Sequence, residues 1–116
     1  MTKSVREIIK EIQMEVRQSE DLLPDRAAEL LAQLASLLGN CNDEIRRRMM
    51  DYNKVLLLSY ETTEKANRAK ILAENDPSYE ARQEAKDTKE LCLELIRSLK
   101  YFLRAKSDEY KYSGSQ

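Results

Sequence analysis

The stretch that decides the fold is Ala73-Glu74-Asn75-Asp76-Pro77-Ser78-Tyr79-Glu80. Asn75 closes one helical pattern. Asp76 is a good N-cap for the next, and Pro77 suits a first helical turn because its missing N–H would have no partner there. Outward from this turn the chain holds almost no breakers. The only glycines are Gly39 and Gly114, and the only prolines are Pro24 and Pro77. Long helices on both sides follow, from about 43 to 74 and from 77 to 110, forming an antiparallel hairpin in an all-α protein.

Two short helices are expected before it, packed on the hairpin's base. Ser4 and Glu7 have capping-box spacing, and Val5, Ile8, Ile9, Ile12 and Val16 make one apolar stripe, so the first helix runs from about Val5 to Gln18. The second runs from about residue 24 to 38, buries Ala27, Leu30, Leu31, Leu34, Leu37 and Leu38, and is expected to end on Gly39 as a left-handed cap. The organisation expected is a single helical domain over 1–112 with a disordered polar tail at 113–116.

The hairpin has two unequal halves. If equal distances from residue 75 face one another, 61–74 lies against 77–90. That half is polar, with Ala66, Ala69 and Ala73 opposite Ala81 and Ala85. The other half is apolar, with Ile45, Met49, Tyr52, Leu56 and Tyr60 facing Leu91, Leu95, Ile96, Leu99, Phe102 and Leu103. An arm so lean in apolar area is marginal alone, so self-association or a protein partner along the hairpin is expected.

Composition removes several chemistries. There is no histidine, which excludes Ser-His-Asp and Cys-His catalysis, His-ligated zinc and imidazole switching. Cys41 and Cys92 form no C-x-x-C pair and read as free thiols, Cys92 as a small core residue. No apolar run approaches a membrane span and no signal-peptide pattern is present, so a cytoplasmic protein without membrane contact is expected.

The net charge is −1, yet it is unevenly spread. Residues 46–60 carry 4 basic and 1 acidic side chains, and residues 91–116 carry 5 and 3. Pairing about residue 75 would bring Arg46, Arg47 and Arg48 near Lys100, Arg104 and Lys106, with Tyr101, Tyr110 and Tyr112 close in sequence. Basic groups interleaved with tyrosines suit single-stranded nucleic acid, where phosphates are neutralised and bases stack on rings. A solvated surface with ion pairs to Asp43, Glu44, Asp51, Asp108 and Glu109 is the plainer reading. Tyr79 and Arg82, just after the turn, are either partner contacts or a cover over the end of the seam.

Glu61-x-x-Glu64 and Glu84-x-x-Asp87 resemble the ExxE…ExxD signature of MazG-like, all-α nucleoside triphosphate pyrophosphohydrolases. That resemblance implies an enzyme in which Glu61, Glu64, Glu84 and Asp87 hold magnesium, the only cofactor any reading of this chain calls for. Solvated carboxylates paired as Glu61–Lys65 and Glu64–Arg68 are the alternative.

Another resemblance concerns layout. Two short amphipathic helices precede a long hairpin with Tyr60-Glu61, Lys65-Ala66 and Ala69-Lys70 on one strand. The other carries Tyr79-Glu80, Glu84-Ala85-Lys86 and Leu95-Ile96-x-Ser98-Leu99-Lys100-Tyr101. Over residues 43–112 this is similar to the UvsY-type recombination mediators, small oligomeric bacteriophage proteins that bind single-stranded DNA. The resemblance implies a non-enzymatic binding and assembly protein of the bacterial host cytoplasm, with Arg46, Arg47, Arg48, Lys54, Lys100 and Arg104 as phosphate contacts. A phage or mobile-element protein that blocks a host protein through helical faces is a further alternative.

Overall fold

The structure is a computed structural model, and it describes the backbone of residues 2–114 and the side chains of 2–111. The described residues form four helices and no strand: α1 Val5–Gln18, α2 Pro24–Thr62, α3 Ala66–Glu74 and α4 Pro77–Gly114. The all-α expectation and the turn at Asn75-Asp76-Pro77 both hold. No helix among them is long and apolar enough to cross a membrane.

Helix α1 is built as its sequence dictates. Ser4 is its N-cap, and the Glu7 N–H donates to Ser4 Oγ at 3.2 Å. Ile9 and Ile12 are buried. At the turn, Asn75 stays in the right-handed region and its N–H donates to the Ile71 and Leu72 carbonyls, both at 3.2 Å. Asp76 Oδ1 accepts the Ser78 N–H at 2.9 Å, and Pro77 opens α4. Among the described residues none has a left-handed φ, so the turn at Asn75-Asp76-Pro77 forms without glycine.

The helix boundaries between 24 and 74 correct the sequence reading twice. Gly39 does not end a helix, because α2 runs unbroken from Pro24 to Thr62. Ala27, Leu34 and Cys41 are all buried at seven-residue spacing, and that stripe outweighs the roughly 1 kcal/mol a mid-helix glycine costs. The break falls instead at residues 63–65. Ser59 Oγ donates to the Val55 carbonyl at 2.9 Å and Thr62 Oγ1 to the Leu58 carbonyl at 2.9 Å. These side chains compete for carbonyls that already accept within the helix, a back-bonding that weakens and bends its last turns, and α3 restarts at Ala66 with Lys65 extended. The expected 43–74 helix is therefore the second half of α2 plus α3. Helix α4 continues through Gly114, so residues 113 and 114 end a helix, and Ser115 and Gln116 lie outside the described residues.

The chain divides into two compact units, one of Met1–Gly39 with Glu90–Gln116 and the other of Asn40–Lys89. The first unit packs α1 against the start of α2 and the second half of α4. Ile9, Ile12, Leu30, Leu34, Leu95, Ile96 and Leu99 are its large buried side chains, and the Cys92 thiol donates to the Leu34 carbonyl at 3.4 Å. Cys92 is thus a core residue. Arg26 clamps Glu15 with two hydrogen bonds, Nε to Oε2 at 2.6 Å and Nη2 to Oε1 at 2.7 Å, tying α2 to α1.

The second unit is lean. Its buried side chains are Cys41 and Tyr52 of α2, Ala69 and Ala73 of α3, and Ala85 and Thr88 of α4. Three of the five expected seam alanines are therefore buried, while Ala66 is exposed and Ala81 half-buried.

Pairing about residue 75 would set Tyr52 opposite residue 98, but Tyr52 meets Tyr79 within the second unit. The break at 63–65 accompanies this shift, with α3 a separate element between the two long helices.

Candidate interaction surface

In the second unit the Tyr52 ring lies 5.4 Å from the Tyr79 ring at 54°, and the Arg82 guanidinium carbon sits 5.2 Å from the Tyr52 centroid. Gln83 Nε2 donates to the Tyr79 hydroxyl at 3.1 Å. Burial first, and Glu74 second, push the Tyr52 hydroxyl above its ordinary pKa. Tyr79 and Arg82 therefore cover the seam of their own unit.

The basic cluster divides. Arg46, Arg47, Arg48 and Lys54 belong to the second unit, Lys100 and Arg104 to the first. Arg47 pairs with Glu44 at 2.6 Å, and Arg48 pairs with Glu44 at 2.8 Å and with Asp51 at 3.9 Å. These two are the ordinary surface ion pairs of a helix. Arg46, Lys54, Lys100 and Arg104 are exposed and make no ion pair among the described residues.

On α4 the structure adds Arg97 and Lys111, which sequence reasoning passed over. With Lys100 and Arg104 they recur at intervals of three, four and seven, which places all four on one face of the helix. Helical spacing alone could have found that stripe. Tyr101, 76% exposed, stands beside it. Tyr110 and Lys106 line an open cleft of about 770 Å³ with Pro24, Leu103 and Ser107. Tyr112 lies in α4, outside the described side chains.

The four carboxylates of the ExxE…ExxD pattern lie in the second unit, yet they are not gathered. Glu61 is in the last turn of α2, Glu64 is in the break, and Glu84 and Asp87 are on α4. Among the described residues no three His, Cys, Asp or Glu side chains are placed to share a metal ion. The expected Glu61–Lys65 and Glu64–Arg68 pairs would need one helix through 61–68, and the break interrupts it.

The largest departure from an ordinary surface is apolar. Met49, Met50, Leu57, Leu58 and Tyr60 on α2, with Ile71 and Leu72 on α3, are all exposed, Leu57 at 61% and Leu58 at 59%. They lie within one 24-residue span of the second unit, whose own core is mostly alanine, cysteine and threonine.

Comparison with protein-family models, with curated proteins and with solved structures finds no match to this chain.

Proposed function

We propose that the chain is a non-enzymatic helical binding and assembly protein that works through the exposed apolar surface of α2 and α3. The supporting observation is where the exposed hydrophobics fall. Of the eleven large hydrophobic side chains exposed among the described residues, seven lie between Met49 and Leu72. Scattered exposed apolar residues need no explanation, but a concentration of them marks a surface made to be covered. The unit carrying them buries little else, so covering that surface also stabilises it.

A single-stranded-DNA-binding form of this role, like that of the recombination mediators, is a second reading. It is favoured by the stripe Arg97, Lys100, Arg104 and Lys111 beside exposed Tyr101, since unpaired cations at helical spacing can follow a phosphate backbone. Arg46, Lys54, Lys65, Arg68 and Lys70 are exposed cations of the other unit with no ion pair among the described residues.

The test uses the wild-type chain and Leu57→Asp in three settings: alone over a concentration series, with a single-stranded oligonucleotide, and as bait in a bacterial extract. Association that Leu57→Asp abolishes is the expected result in the first or third setting. A wild-type chain that is monomeric, and retains nothing that Leu57→Asp loses, overturns the reading.

A further inference from the structure

Helix α2 within the second unit has two faces. Cys41 and Tyr52 point into the core, with Ile45, Val55, Leu56 and Ser59 half-buried beside them. On the opposite side, at helical spacing, lie Arg47, Met50, Lys54, Leu57, Leu58 and Glu61, all exposed. This outer face is ordered by charge along its length. Its N-terminal end carries Arg47 with Arg46 at the edge, its middle carries Met50, Lys54, Leu57 and Leu58, and its C-terminal end carries Glu61. Arg46, Lys54, Glu61 and Glu64 make no ion pair among the described residues, and Arg47 is held only by one exposed pair with Glu44.

Such a face is complementary to itself when reversed. We propose that a second copy of this chain packs antiparallel on residues 46–61 of α2, across a two-fold axis near Lys54. Residues equidistant from Lys54 then meet. Arg47 faces Glu61 of the second copy, and Met50 faces Leu57 and Leu58 of the second copy. Arg47, Lys54 and Glu61 recur at seven-residue spacing along one line of the helix, so a two-fold axis at Lys54 makes the Arg47–Glu61 match twice. A parallel arrangement would instead set Arg47 against Arg47 and Glu61 against Glu61. The one like-charge meeting is Lys54 with Lys54, on a stem long enough to splay into water.

This inference rests on the reading of the apolar surface as one made to be covered, and it names the occupant. From Arg47 to Glu61 the contact spans roughly 21 Å of helix, small among stable interfaces, so association in the micromolar range is expected.

The test is sedimentation equilibrium of the full chain over roughly 1–500 μM, a range that brackets such an association. Wild type is expected to pass from 13.5 kDa to twice that mass. Arg47→Glu and Glu61→Arg should each weaken the dimer roughly tenfold, and the double reversal should restore it. Lys54→Met should tighten it, which keeps the inference testable if a reversal disturbs the helix by circular dichroism. A double reversal no tighter than either single, or a dimer that Lys54→Met fails to tighten, overturns the antiparallel contact. A wild-type monomer that still captures a Leu57-dependent partner overturns self-association while the assembly reading stands. A monomer that captures nothing overturns both.

Discussion

The Arg82 guanidinium carbon lies 5.2 Å from the centroid of the Tyr52 ring, and Tyr52 is 6% exposed. No other side chain as large is buried among the described residues of Asn40–Lys89, so Tyr52 carries much of that unit's packing. Tyr52→Ala should cost about 3–5 kcal/mol and Arg82→Gln about 1 kcal/mol, read from urea midpoints. The hydroxyl also sets an alkaline limit. Its folded pKa is raised, so the stabilisation is full below the unfolded value near 10 and is lost as pH rises through the folded value. Tyr52→Phe should remove that alkaline loss, and an unchanged pH profile would exclude the role.

The Glu15–Arg26 clamp gives an acid limit in the other unit. Hydrogen bonding from Arg26 holds the Glu15 carboxyl below its ordinary pKa. A lowered carboxyl pKa stabilises above the unfolded value near 4.5 and loses that stabilisation as pH falls through the lower folded value. Denaturation midpoints from pH 7 to pH 3 should fall less steeply for Glu15→Gln than for wild type. The pair is well exposed, so the difference should be small and should shrink with added salt.

Gly39→Ala should stabilise the chain. Gly39 is inside α2, has no left-handed φ, and a Cβ built there meets nothing within 4 Å. The gain expected is about 0.5–1 kcal/mol, seen as a higher melting temperature. A lower one would mean that the glycine serves a bend or cap in solution.

Those three sites also show how far the sequence could be read. Helix α1 was legible to the residue because the Ser4 cap and the Ile9–Ile12 stripe agree. The Asp76-Pro77 turn was legible because both residues act locally. Gly39 misled because its local signal lost to burial of Leu34 and Cys41, seven residues apart. The break at 63–65 has no glycine or proline to announce it and rests on Ser59 and Thr62 bonding backward to carbonyls. Missing that break shifted the register expected at Tyr52, which meets Tyr79 within its own unit. Of the candidate surface, the cations were legible singly. The capture of Arg47 and Arg48 by Glu44, and the exposure of Met50, Leu57 and Leu58, needed the fold.

If the α4 stripe binds single-stranded DNA, affinity should fall steeply with salt. Changing Arg97, Lys100, Arg104 or Lys111 to glutamine should lower the slope of log affinity against log salt by about 0.7 each. Fluorescence anisotropy with a labelled oligonucleotide checks this. Binding with the wild-type slope in all four variants would exclude the stripe.

The most direct test of the central claim is the mass of the chain in solution, measured over concentration for wild type and Leu57→Asp, with and without single-stranded DNA. The expected result is a wild-type chain that reaches twice 13.5 kDa without DNA, while Leu57→Asp keeps its helicity and stays at 13.5 kDa. A wild-type chain that holds to 13.5 kDa at every concentration, and retains no partner that Leu57→Asp loses, would contradict it.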